Sequence, residues 1–265
     1  MRIFDAHVHV WDLAAFPIPW FHDGLDLPTV SSTADYRAVA EPCGVAAGVA
    51  VQVADSEAEA RWLTDVTTAD AVLARAVLQY EPAPGRALGA TTFEGASFAG
   101  IRASVPQCAA DLSDVPGLDA LAAALGASGH VLELLIRPEQ LVGVAALAAR
   151  HPSTSVVLCH LGLGFGEATD KWAADLAAFA AQPNAHAKFS GLVSPTRSDA
   201  ELAYLAKVAF ALFGAERLMF GSDWPLSARV CAYPELVARV CHAVPDAAGP
   251  EFWHGTAERL YGLHV

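Results

Sequence analysis

The chain has 265 residues, a length that suits one eight-stranded α/β barrel or two small domains. It is 54% hydrophobic and 17% charged with mean hydropathy +0.35, which excludes intrinsic disorder, yet no apolar run approaches the roughly 20 residues of a membrane span. Its 29 acidic against 16 basic residues give a net charge of −13, a field that repels phosphate backbones and excludes nucleic acid as a partner. The N-terminus opens directly into a strand-like segment with no signal-peptide layout. The cysteines, Cys43, Cys108, Cys159, Cys231 and Cys241, are scattered and lack any CxxC, as expected of reduced thiols in a cytoplasmic protein.

Short β-branched runs alternate with alanine-rich amphipathic stretches along the chain. The expected strands are Ile3–Val10, Gly48–Val53, Ala71–Tyr80, Gly100–Ser104, Val131–Ile136, Ser155–His160, Ala185–Ser190 and Arg217–Ser222. The clearer helices between them are Ser56–Thr67, Gly117–Ala127, Pro138–Arg150, Lys171–Ala181, Asp199–Phe213 and Tyr233–His242. The segment from Glu81 to Phe98 is rich in Pro and Gly and offers no helix. Eight strands alternating with helices predict a single-domain TIM (β/α)8 barrel over residues 1–265. No GxGxxG or GxxxxGK follows any strand, so a dinucleotide or P-loop site has no support.

Side chains two apart share a strand face. In the first strand Phe4, Ala6, Val8 and Val10 form one face, and Asp5, His7 and His9 the other. The polar face is expected to line the barrel interior near its open end. The same phase gives Gln52, Gln79, Arg102, Glu133, His160 and Lys188 one polar position on each following strand, with Asp223 just past the eighth. Unpaired burial of such groups costs a few kcal/mol each, so they must face one another, water, a metal or a ligand.

His7 and His9 can present two imidazoles to one divalent ion, zinc or similar, with His160 and Asp223 completing the set. The alternative is that one of the two is a satisfied core histidine. Asp223 is either a general base for water or a helix N-cap. Arg102 and Lys188 either bind substrate and steady an oxyanion, or form internal ion pairs with Glu133 or Asp5. Glu133, Gln52 and Gln79 are weaker substrate contacts. Trp11, Trp20 and Trp224 follow site strands and either wall the pocket or pack the core.

Four segments carry a resemblance: Asp5-Ala-His-Val-His-Val-Trp-Asp12, Val156-Val-Leu-Cys-His-Leu-Gly162, Lys188-Phe-Ser-Gly-Leu192 and Arg217-Leu-Met-Phe-Gly-Ser-Asp-Trp-Pro225. They resemble the amidohydrolase superfamily, in particular the amidohydrolase-2 branch of TIM-barrel hydrolases with its sugar lactonases and 2-pyrone-4,6-dicarboxylate lactonase type. Arg137-Pro-Glu-Gln-Leu141 and Ala257-Glu-Arg-Leu-Tyr-Gly-Leu263 fit as well, so the resemblance runs from about Ile3 to Leu263. It implies a barrel that hydrolyses a lactone at its C-terminal face. Asp223 would then deprotonate water, His160 would polarise the carbonyl, and His7 and His9 would line the site as metal or substrate ligands. Branch members differ in metal use, so the resemblance covers one divalent ion or none.

The chain departs from the branch pattern at four places. Cys159, of outward phase, stands where an acidic residue is expected, and Leu163, in the loop above the site, replaces a base. Thr256 replaces the asparagine of the terminal motif. Glu133, not a histidine, occupies the fifth strand, against a binuclear centre and against the zinc decarboxylases. The expected function is therefore a carboxylic-ester or lactone hydrolase acting on a small sugar-derived or dicarboxylate lactone. The rivals are a metal-dependent non-oxidative decarboxylase and a non-catalytic ligand-binding barrel. The expected partner is the small lactone or carboxylate, with no membrane and with a homo-oligomer left open.

Overall fold

The computed structural model describes residues 1–80, 98–164 and 166–262. Eight strands form one sheet whose neighbours follow chain order and whose pairings are all parallel. They are β1 (Ile3–Val8), β2 (Val45–Val51), β3 (Leu73–Tyr80), β4 (Phe98–Ser104), β5 (Val131–Leu135), β6 (Val156–Leu158), β7 (Ala185–Phe189) and β8 (Leu218–Phe220). The sheet closes just beyond β1 and β8. There the Asp223 N–H donates to the His7 carbonyl at 2.8 Å, and the His9 N–H donates to the Trp224 carbonyl at 2.7 Å. A two-stranded antiparallel ribbon, Trp11–Asp12 with Val30–Ser31, sits outside the barrel sheet.

Helices cover the outside: α1 (Thr33–Ala40), α2 (Glu57–Ala69), α3 (Leu118–Ser128), α4 (Leu141–Arg150), α5 (Asp170–Ala180), α6 (Asp199–Phe213), α7 (Tyr233–Ala243) and α8 (Thr256–Leu260). The six expected helices are all present; α1 and α8 were not expected. The Pro- and Gly-rich segment lies outside the described residues up to residue 97, while Phe98 begins β4. Among the described residues no helix is long and apolar enough to cross a membrane.

The lower barrel interior is apolar. Phe4, Ala6, Val49, Val51, Val77, Val157 and Met219 pack together there with Ala257 and Tyr261 from the C-terminal segment. The face containing Phe4 and Ala6 is therefore the inner one at the start of β1, whereas Val8 and Val10 join the outer core.

Above this layer the interior carries charge. The Lys188 ammonium lies 2.7 Å from both carboxylate oxygens of Glu133, and both side chains are wholly buried. The Tyr261 hydroxyl donates to the same carboxylate at 2.7 Å and the Cys159 thiol at 3.5 Å. Cys159 thus faces inward, not outward: it continues the inner phase of Val157, while Val156 and Leu158 face the outer core. Burial, then the neighbouring Glu133, pushes its thiol up to about 12, so it stays protonated as a donor. Lys188 and Glu133 satisfy each other beneath the cavity instead of lining it. Lys188→Met is expected to cost about 3–5 kcal/mol by leaving a carboxylate unpaired in the interior. The double variant Glu133→Leu/Lys188→Met should recover most of that in urea denaturation; equal losses in both would contradict it.

Candidate active site

Strand β1 contains a bulge: its register on β2 shifts between Asp5 and Val8. A bulge adds one residue to a strand and reverses the facing of the residues beyond it. Asp5, expected on the same face as His7 and His9, therefore points outward between α1 and α7. One oxygen of its buried carboxylate accepts the Ser222 N–H at 2.8 Å and the His7 N–H at 3.2 Å. The other accepts the Tyr233 hydroxyl at 2.8 Å and the Tyr36 hydroxyl at 3.1 Å. Burial pushes the Asp5 pKa up, against the pull of the hydrogen bonds from Ser222, Tyr233 and His7. The clamp joins the backbone before His9 to the backbone before Asp223.

Across this seam three donor atoms meet. His7 Nε2 and His9 Nε2 are 3.1 Å apart, and Asp223 Oδ1 lies 3.5 Å from the first and 3.4 Å from the second. His9 Nδ1 lies 2.7 Å from the Val51 carbonyl and must donate to it, so His9 Nε2 presents a bare lone pair to the Asp223 carboxylate. Two acceptors at such a distance repel unless a proton or a cation lies between them. Bonds of about 2.0–2.1 Å to one tetrahedral ion would separate ligand atoms by about 3.3 Å, so the triangle fits a single divalent ion. Burial, then Lys188 and His160, lowers the His7 pKa well below the usual histidine range and keeps the ring neutral, as a ligand must be. Three protein ligands leave an open coordination position. Among the described residues a second group, His7 with Glu133 and Cys159, also gathers donor types, but Lys188 already holds its carboxylate.

His160 stands beside this triangle, its ring centroid 4.8 Å from that of His7. Its Nδ1 lies 2.9 Å from the Ser190 carbonyl and 3.0 Å from the Ser190 hydroxyl, so Nδ1 carries the proton and Nε2 a lone pair. Burial lowers its pKa despite the opposing pull of Asp223. For Asp223, burial alone would raise the pKa; His160, His9 and Arg102 outweigh it and hold the carboxyl below its usual value. His160, Leu161 and Asp223 all adopt left-handed backbone (φ 53°, 55° and 60°). Such strain in non-glycine residues concentrates at functional sites.

Arg102 completes the floor. Its Nε donates to the Gln79 side-chain oxygen at 2.9 Å and one terminal nitrogen to the Gln52 carbonyl at 2.7 Å. The other terminal nitrogen makes no hydrogen bond among the described residues. Above lies a cavity of about 850 Å³ lined by His9, His160, Asp223, Arg102, Gln79 and Trp20 among others. This volume suits a small organic ligand. Gln52 does not line it: its side-chain amide donates to Ala54, Ser56 and Glu59 and its oxygen accepts the Gln79 N–H, which orders the loop after β2. Trp11 is also elsewhere, buried against Ile18, Val53 and Ala54 with its indole N–H on the Pro28 carbonyl at 2.9 Å. Leu163 is buried in the outer core, not in the loop wall. Ser190, Arg197 and Arg229 are also part of the lining. Ser190 shares the phase of Lys188 at the end of the seventh strand, a signal that could have found it, whereas Arg197 and Arg229 lie in loops that have no strand period.

A family model described as amidohydrolase matches residues 4–263. The chain belongs to the amidohydrolase family. A relative named L-fucono-1,5-lactonase, from Burkholderia multivorans, is 30% identical over 285 aligned positions that cover 98% of this chain and 95% of the relative. Among solved structures, an amidohydrolase from the same species with bound zinc is similar over 100% of both chains, at 28% identity and a TM-score of 0.85. Amidohydrolase 2 from Bifidobacterium longum subsp. infantis is similar over 100% of both chains at 26% identity and a TM-score of 0.80.

In this amidohydrolase, glycine leaves room for the His160 ring. A Cβ on Gly191, which has φ +62°, would lie 2.5 Å from His160 Nδ1. Gly191→Ala is therefore expected to push the ring off Ser190. The imidazole nitrogen NMR spectrum should show His160 losing its Nδ1-protonated form, and an unchanged tautomer would contradict this.

Proposed function

We propose that the enzyme is a lactonase that opens a small sugar-derived lactone by attack of water at the barrel's C-terminal face. The observation that carries this reading is the Asp223 carboxylate, held ionised at the cavity floor within 3.5 Å of two imidazoles and beside His160 and Arg102. The lactonase name of the relative that spans nearly the whole chain supports it.

Asp223 accepts the proton of a water whose oxygen attacks the lactone carbonyl. The unfilled edge of the Arg102 guanidinium donates to the oxygen that gains charge. This takes the carbonyl from His160, whose Nδ1 proton is committed to Ser190 and whose Nε2 has none to give. His160 Nε2 instead takes up the proton that Asp223 received from the water and passes it to the ring oxygen as the ring carbon–oxygen bond breaks, which returns Asp223 to its ionised form. The product is an open hydroxy acid. A zinc or similar ion held by His7, His9 and Asp223 would polarise the carbonyl or water in the manner of Lewis-acid hydrolases.

The decarboxylase reading loses support at Glu133, which is tied to Lys188 and Tyr261 below the cavity. The five free thiols support a reducing, cytoplasmic location.

A panel of aldonolactones read with a pH indicator, with and without chelator, tests the reading. Hydrolysis is expected for at least one lactone, and Asp223→Asn should lower kcat by about 10²–10⁴. Full activity in that variant, or no hydrolysis of any lactone, overturns it.

A further inference from the structure

Outside the cavity every described arginine is held by protein: Arg75, Arg137 and Arg217 donate to backbone carbonyls. Arg2, Arg37, Arg61, Arg150, Arg239 and Arg259 each pair with a carboxylate. None of the cavity arginines, Arg102, Arg197 and Arg229, has such a partner among the described residues. Yet the chain holds 29 acidic residues against 16 basic ones, so acids to pair them are abundant. The described lining contains only two carboxylates, Asp26 and Asp223, and the second is committed to the chemistry. For Arg102 and Arg197, which are at least partly desolvated, a guanidinium without a counter-charge is costly and persists where a ligand supplies one; Arg229 is exposed and free to reach such a ligand.

The three arginines are graded in depth. Arg102 is 5% exposed at the floor, Arg197 is half-buried in the loop after β7, and Arg229 is exposed in the loop after β8. One terminal nitrogen of Arg197 donates to the Leu192 carbonyl at 2.7 Å, which holds the guanidinium by one edge, while Arg239 on α7 bonds the Arg197 carbonyl at 3.4 Å and anchors its backbone. Arg229 makes no hydrogen bond or ion pair among the described residues. The hydroxyls of Ser194 and Thr196, 3.1 Å apart, line the same wall.

We infer that the lactone bears an anionic group, a carboxylate or a phosphate, on the end away from its scissile carbonyl, and that Arg197 and Arg229 bind that group. This rests on the lactonase reading and adds a charge requirement to it. The group enters the outer lobe while the carbonyl reaches Asp223 and Arg102. The negative outer surface then repels the substrate, and the cavity alone attracts it.

The test compares kcat/KM for D-glucaro-1,4-lactone and 6-phospho-D-glucono-1,5-lactone, each against neutral D-gluconolactone of the same ring size. The anionic-to-neutral ratio should exceed one for at least one pair, and the pair that does so tells carboxylate from phosphate. Arg197→Gln and Arg229→Gln should each lower that ratio by about tenfold or more, the range of a charge-assisted hydrogen bond. Arg61→Gln, on the outer face of α2, should leave it unchanged. Partial misfolding cancels from a ratio taken within one preparation. A ratio of one or less, or one that neither cavity variant lowers, overturns the inference. If no lactone is turned over, the lactonase reading fails, and calorimetry with galactarate and galactonate still reads the anion site. Tighter binding of galactarate, weakened about tenfold in the two variants, sustains it; equal binding or none overturns it.

Discussion

The Asp5 carboxylate holds the first and last strands of the barrel together. It receives backbone N–H groups from His7 on one side of the seam and Ser222 on the other, and two tyrosine hydroxyls from α1 and α7 behind it. The bulge that turns Asp5 outward is the same feature that turns His7 inward. Closure of the sheet and construction of the site are therefore one event. The hydrogen bonds that seal the barrel, Asp223 to His7 and His9 to Trp224, belong to the residues that supply the donor triangle.

Polar groups in the barrel are stacked in two tiers with different duties. The lower tier, Lys188, Glu133, Tyr261 and Cys159, is closed on itself and shielded from solvent. Such a pair is weak evidence for stability, since its attraction must offset desolvation of both ions. Burial keeps the His7 imidazole neutral, and the Lys188 ammonium beneath it adds to that effect. The upper tier is left incomplete: His9 and Asp223 face each other as acceptors, His160 offers a lone pair, and Arg102 keeps one edge unfilled. An incomplete set at the floor of a cavity is a binding site; a complete one below it is scaffold.

All eight barrel strands are legible as short, largely apolar runs between helical stretches, because a strand buried on both faces must be apolar almost throughout. Helix α1 is less legible because it buries only Tyr36 and Ala40, though the Ser32-to-Asp35 capping box marks its start. The convergence of His7, His9, Arg102 and Asp223 is legible because each lies at or near a strand end with the polar phase; His160 lies at a strand end too, but left-handed backbone turns it to the site. Asp5 and His160 defeat the phase rule, one at a bulge and one beyond a three-residue strand that runs into left-handed backbone, and the outward phase expected of Cys159 fails with that of His160. Glu133 has the expected phase but finds protein partners, which only three-dimensional packing decides, whereas Gln52 has the opposite phase, because Val49 and Val51 are the inner residues of β2. Arg197 and Arg229 carry no positional signal at all.

The seam clamp is the device that sets the donor triangle. The most direct measurement is the zinc affinity of metal-free protein, by competition with a chromogenic chelator, for the wild type and for Asp5→Asn shown folded by circular dichroism. Loss of a group that orients a ligand typically weakens an ion by 10–100-fold. Zinc binding in the wild type, weakened by about tenfold or more in Asp5→Asn, is the predicted result. Equal affinities, or a wild type that binds no zinc, would contradict it.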